Sequence, residues 1–206
     1  MIGVIDYGVG NIQAFLSLLK RLQIMTKRVI NSEDLDGCSH IILPGVGHFD
    51  HAMQRLNDSG LRPMLDQLVL EDKIPVLGVC VGMQMLSESS EEGVLPGLGW
   101  IPGKVRNMKN NPSFMHLRLP HMGWNSLSTV QNSLLFSEGF DEAPQFYFLH
   151  SYYFEAYNRQ DVEATAHYGA DFDVVVSRGN IHGVQCHPEK SHHWGEQLIK
   201  NFVRIQ

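Results

Sequence analysis

Cys80 stands between two glycines in Gly78-Val79-Cys80-Val81-Gly82, directly after the apolar run Pro75-Val76-Leu77 and ahead of a helix-forming stretch. A Gly-x-Cys-x-Gly turn at a strand-to-helix junction is the thiol form of a nucleophile elbow. The turn is tight, so a side chain at position 78 or 82 would crowd neighbouring backbone. It leaves the sulfur exposed at the carboxyl end of the strand, near a helix N-terminus whose partial positive charge favours thiolate. A single cysteine is by itself more often a small buried hydrophobe. The second signal is Gly183-Val184-Gln185-Cys186-His187-Pro188-Glu189. Pro188 biases that segment toward extended geometry, so His187 and Glu189, two apart, project to one side. A Cys nucleophile needs a base to take its proton, and the base needs an acceptor on its other nitrogen. His187 and Glu189 supply both. An unpaired thiol of pKa ~8.5 is only a few per cent ionised at neutral pH, whereas a His-paired thiol can be mostly ionised.

Acyl transfer also needs donors aimed at a developing oxyanion. Pro44-Gly45-Val46-Gly47 follows another strand, and its amides could face the elbow across the carboxyl edge of a sheet, where ligands gather in such folds. The amides of Val46 and Val81 are the predicted oxyanion hole, although the segment read alone is equally an ordinary strand-to-helix turn. Asp6-Tyr7-Gly8-Val9-Gly10-Asn11 suggests a dinucleotide site, but that fingerprint requires a third glycine where this chain has Gln13. A tight turn is the better account.

The elements that would carry these turns alternate. Met1 to Ile5 reads as a buried parallel strand, and Asn11 to Leu22 carries Ile12, Phe15, Leu16, Leu19 and Leu22 at helical spacing. Lys27 to Ile30 and Ile41 to Leu43 read as strands, His48 to Asn57 and Leu61 to Leu70 as helices, the second capped by Ser59. Val76 to Val79 is the elbow strand and Gly82 to Glu88 its helix. Such alternation predicts an α/β fold: an open, mainly parallel sheet with helices on both faces. From Gly93 to Pro120 the pattern lapses into Gly, Pro and Asn clusters. Short strands at Lys104-Val105 and at Phe146 to Leu149 predict a short antiparallel β insertion. Val174 to Val176, a hairpin turn at Arg178-Gly179-Asn180 and a helix from His193 to Ile205 resume the pattern. Trp124 falls in a polar, turn-rich stretch, Cys38 in a polar loop and Cys186 in a strand.

The 206 residues are expected to form one domain, 1–206, with an ordinary 43% hydrophobic content. Three cysteines argue against a disulfide framework, and an acid at Asp6 with no basic region before it argues against a signal peptide, so a cytoplasmic setting is expected. Sixteen basic against 22 acidic residues, a net charge of -6, disfavours nucleic acid as a partner, and no run suits a membrane span. Eleven histidines raise the question of a metal. His187, His192 and His193 are the best candidates, but their spacing fits no ligand motif and a surface helix beginning at His192 is preferred. No metal or cofactor is expected.

Gly-Val-Cys-Val-Gly-Met-Gln at 78–84 and His-Pro-Glu at 187–189 resemble the triad class of glutamine amidotransferases. Ile5-Asp6-Tyr7-Gly8 with Gly10-Asn11, Pro44 to Gly47, Pro120-His121-Met122-Gly123-Trp124-Asn125, Phe146 to Tyr153 and His187 to Ser191 are similar to the glutaminase subunits of imidazole glycerol phosphate synthases. The resemblance spans essentially the whole chain. It implies that Cys80 attacks the side-chain amide of glutamine, that a γ-glutamyl thioester forms, and that His187 shuttles protons while Glu189 orients it. Gly47, Gln84, Ser151 and Tyr152 would hold the amino-acid end of glutamine. A (β/α)₈-barrel synthase subunit would dock at Pro120, Met122 and Trp124 as a heterodimer and receive the ammonia, and the 44–47 turn would be poorly formed until that subunit binds its own ligand. Cys186, where Phe is usual, and Val79 and Val81, where Ile and Leu are usual, are apolar swaps that leave the triad intact. The tail His192-His193-Trp194-Gly195 is more similar to relatives that amidate a nucleotide-linked sugar for surface polysaccharides. That acceptor is one alternative; a stand-alone thiol amidase and an idle binding module are the others.

Overall fold

The computed structural model describes residues 1–130, 133–140 and 142–206. Its elements run β1 (Ile2–Ile5), α1 (Ile12–Arg21), β2 (Thr26–Val29), β3 (His40–Gly45), α2 (Phe49–Asp58), α3 (Arg62–Asp66), β4 (Val76–Cys80) and α4 (Val81–Met85). There follow β5 (Ser89–Ser90), β6 (Gly103–Asn107), β7 (His121–Thr129), β8 (Gln145–His150), β9 (Tyr152–Ala156), β10 (Val162–His167), β11 (Asp171–Arg178), β12 (Ile181–Val184) and α5 (His192–Phe202).

Five strands, in the order β2-β1-β3-β4-β12, pair in parallel. Strands β1, β3, β4 and β12 are buried at every position, the continuous apolar pattern of a sheet covered on both faces. The helices that cover it are amphipathic: α1 buries Phe15, Leu18 and Leu19, and its last turn carries Lys20 and Arg21, which suit the negative end of the helix. At β12 the sheet turns antiparallel and continues through β11, β10, β7 and β8, with β9 pairing β11 and β6. One hydrophobic cluster runs from Ile2 to Ile205 through both parts.

Several local expectations need correction. Trp124 is not in a turn-rich stretch but in β7, paired with Tyr147 of β8. Much of this strand faces solvent, so it carries Asn125, Ser126 and Ser128 among its residues and offers no apolar run to read. Ser59 does not cap α3; it closes α2, donating from Oγ to the Leu56 carbonyl and accepting from the Leu61 amide. The Leu61 to Leu70 helix divides into α3 and a π-helical turn at Gln67–Glu71. The elbow helix starts one residue earlier than expected and stops at Met85, and α5 ends at Phe202. Cys38 lies in the loop before β3 but is buried there, and Cys186 lies just past the end of β12 rather than in the strand.

Candidate active site

Strand β4 ends on Cys80, whose backbone adopts φ +56° and ψ −114°, and α4 begins at the next residue. A non-glycine residue there carries strain of about 1–3 kcal/mol and persists only where its surroundings over-determine it. The surroundings here are backbone. A Cβ on Gly78 would lie 2.6 Å from the Gly82 carbonyl oxygen, one on Gly82 only 1.9 Å from that of Leu43, and one on Gly45 2.4 Å from the Gly82 amide nitrogen. The elbow, its strand and the neighbouring turn thus approach at distances that exclude any side chain.

His187 follows β12, which lies parallel and adjacent to β4, and this adjacency brings the distant segments together. Its imidazole lines the same cavity as Cys80, and its Nδ1 lies 2.9 Å from Glu189 Oε1. The segment is clamped: the His187 amide donates to the Tyr147 carbonyl at 2.9 Å, while Ser191 Oγ donates to the His187 carbonyl at 2.7 Å and accepts from the Tyr147 amide. The side chains of His187 and Glu189 are 6% and 2% exposed. Burial alone would lower the pKa of His187, but the nearby Cys80 sulfur and the hydrogen-bonded Glu189 carboxylate outweigh that and raise it to about 10. The imidazole is therefore held protonated at neutral pH.

Beside Cys80 opens a cavity of about 330 Å³, and Val46, Gly47, Val81, Gln84, Ser151, Tyr152 and His187 all line it. Gln84 Nε2 donates to the Tyr152 carbonyl at 3.2 Å and to Gln185 Oε1 at 2.9 Å, and Gln185 Nε2 lies 3.8 Å from the sulfur. Gln84 and Gln185 thus form a buried polar pair tied to Cys80. Pro120 is at the rim. Met122 and Trp124 do not line the cavity; both are exposed on β7, and Trp124 stacks on His192 at 5.4 Å with the rings 5° apart.

Sequence reasoning missed several residues. Glu92 and Lys190 line the cavity, and Glu92 also accepts from the Phe49 amide at the start of α2. A polar relay reaches the cavity from β7: Asn125 Nδ2 lies 3.2 Å from His121 Nε2, His121 Nδ1 lies 2.9 Å from His150 Nε2, and His150 Nδ1 lies 2.9 Å from the Tyr152 carbonyl. Since a carbonyl only accepts, His150 donates from Nδ1 and accepts at Nε2, so both imidazoles are neutral with assigned tautomers. Desolvation agrees, lowering His121 to about 4 and His150 to about 3. Histidines spaced 29 apart carry no sequence signal; only the β7–β8 pairing of His121 with His150 reveals them. Among the described residues no group of three His, Cys, Asp or Glu side chains could hold a metal ion.

An α/β sheet with a Cys-His-Glu constellation at its carboxyl edge defines a class: the chain belongs to the class-I glutamine amidotransferase family, whose sequence model matches residues 3–205. A crystal structure titled as a glutamine amidotransferase has the same fold, with a TM-score of 0.76, 22% identity and coverage of 99% of this chain and 97% of that one. Within the family the chain falls with the HisH subunits of imidazole glycerol phosphate synthase. It is 54% identical to that subunit of Bdellovibrio bacteriovorus and 50% identical to that of Leptospira borgpetersenii, each over the full length of both chains.

Proposed function

We propose that this chain is the glutaminase subunit of imidazole glycerol phosphate synthase, which hydrolyses glutamine and passes ammonia to a synthase subunit in histidine biosynthesis. The observation that carries the reading is that Cys80 and His187 line one cavity while Glu189 holds the far side of the His187 ring at 2.9 Å. Cys80 attacks the side-chain amide carbon of glutamine. The amides of Val46 and Val81 receive the oxyanion, and His187 gives its proton to the departing nitrogen. The raised pKa of His187 explains the timing. Once the sulfur has bonded to the amide carbon its charge is gone and the imidazole holds its proton less tightly, so it gives that proton to the amide nitrogen, which leaves as ammonia when the C–N bond breaks and the thioester forms. It is then neutral and serves as the base that activates water for thioester hydrolysis. Glu189 holds the ring throughout. Gly47, Gln84, Ser151 and Tyr152 hold the amino-acid end of the substrate.

The partner is a (β/α)₈-barrel subunit that covers the cavity and docks on Pro120, Met122 and Trp124, forming imidazole glycerol phosphate and AICAR with the ammonia it receives. The cytoplasm suits both; among the described residues no helix is long and apolar enough to cross a membrane. The names of the full-length relatives favour this acceptor over a nucleotide-linked sugar. The deciding experiment mixes the purified chain with a barrel synthase subunit and glutamine. Imidazole glycerol phosphate is expected, with glutamine turnover far above that of the chain alone. Fast turnover without partner and no product with it would support a stand-alone amidase instead.

A further inference from the structure

The turn that follows β1, left over once the dinucleotide reading fails, is packed against the turn that carries Val46. Tyr7 is buried there, 2% exposed, and its hydroxyl donates to the Pro44 carbonyl at 2.7 Å. The same oxygen lies 3.5 Å from Met85 Sδ, at the end of the nucleophile's own helix. Gly10 completes the contact, for a Cβ there would come within 2.9 Å of Pro44 Cβ. Burial first, and then the neighbouring Cys80, push the phenol's pKa well up, so the hydroxyl stays a donor.

The position of this bond in the backbone gives it a consequence. The β3–β4 ladder ends with Pro44 opposite Val79 and Gly45 opposite Cys80. Beyond it the chain leaves the sheet: Val46 is 41% exposed and Gly47 takes φ +81°. Little packing holds that loop from outside. The Pro44 carbonyl belongs to the peptide unit just before the one that contains the Val46 amide. With the first unit pinned, only φ and ψ of Gly45 remain to redirect the second. With the first unit released, both can turn, and glycine resists neither.

We propose that Tyr7 is a positioning residue for the reaction, its hydroxyl pinning the Pro44 carbonyl so that in the active complex the Val46 amide is aimed at the oxyanion. The inference deepens the reading of Cys80 as nucleophile and Val46 as oxyanion donor, and rests on it. An oxyanion donor acts in the transition state and not on bound substrate, so its misalignment lowers kcat and leaves KM alone.

The test is Tyr7→Phe, which keeps the ring that fills the buried space and removes one oxygen. Glutaminase kcat and KM are measured on the complex with the synthase subunit, alongside the rate at which iodoacetamide alkylates Cys80. Alkylation occurs at a saturated carbon and forms no oxyanion, so it reports the thiol without the hole. The expected result is a fall in kcat of roughly tenfold, with KM and alkylation rate within about twofold of the parent. Unchanged kcat, or alkylation slowed as much as turnover, would overturn the role of Tyr7. If iodoacetamide modifies Cys38 or Cys186 of the parent in place of Cys80, the reading of the site itself fails, whatever the variant does. Circular dichroism confirms that the variant is folded before either rate is compared.

Discussion

His187 owes its charge to its neighbours, and this makes the triad testable one atom at a time. Burial opposes the charge, while the Cys80 and Glu189 contacts impose it. Cys80→Ala removes the nucleophile and one of the two groups that hold the proton. Glutaminase activity should fall by about 10³-fold or more, as for removal of a triad member. In the same variant the His187 ring should titrate well below its parent value of about 10, read by NMR of the imidazole. A ring that still titrates near 10 without the sulfur would mean that Glu189 alone sets its charge.

At the scale of elements, the junction of β4 with α4 depends on backbone-to-backbone contact. Strain at Cys80 is tolerated because Gly45, Gly78 and Gly82 let three segments close around it. At Gly82 an added methyl would meet the Leu43 carbonyl oxygen, which belongs to a buried strand and has no room to retreat. Gly82→Ala should therefore destabilise the fold by about 3 kcal/mol or more, a size reserved for backbone displacement and overpacking. Urea denaturation measures it; a loss under about 1 kcal/mol would show that β3 and the elbow can separate at little cost. The β7–β8 hairpin contributes differently. It brings His121 to His150, fixes the Tyr152 carbonyl that Gln84 uses, and presents Trp124 against His192 at the open end of the sheet.

The whole molecule carries an acid sensitivity that no single element explains. His40, His121, His150 and His182 are all buried, and desolvation is the leading cause that lowers the pKa of each, His182 to about 4. Among the described residues neither nitrogen of His182 has a hydrogen-bond partner, although the nearby charge of Glu163 pulls its pKa partly back up. The unfolded chain binds protons at these rings near pH 6.5, whereas the folded one does not until lower pH. The contribution of His121, His150 and His182 is thus complete above pH 6.5 and is lost as the pH falls toward 4, by about 1.4 kcal/mol per unit for each of these three rings, and His40 acts in the same direction. His187, shifted the other way, is protonated in both states once the pH is well below 6.5 and does not offset the loss there; its own contribution is lost as the pH rises from 6.5 toward 10. The urea midpoint should drop steeply between pH 6.5 and 4.5, and His182→Leu should make the profile shallower. A flat profile would contradict neutral burial.

What was readable in one dimension is what local chemistry imposes. Gly78 and Gly82 signal a close approach around Cys80 because only glycine survives it, and His187-Pro188-Glu189 signals a base with its acceptor because the pair is two residues apart. The apolar runs of β1, β3 and β4 signal a covered parallel sheet for the same reason of proximity along the chain. What depends on pairing between distant segments was not readable. Trp124 lies in a strand whose polar residues face solvent, so hydropathy could not reveal it. The His121–His150 relay, the Gln84–Gln185 pair and the Tyr7 bond to Pro44 each join positions brought together only by sheet order. Side chains that interact across a sheet need no pattern along it, so tertiary structure alone decided where they meet.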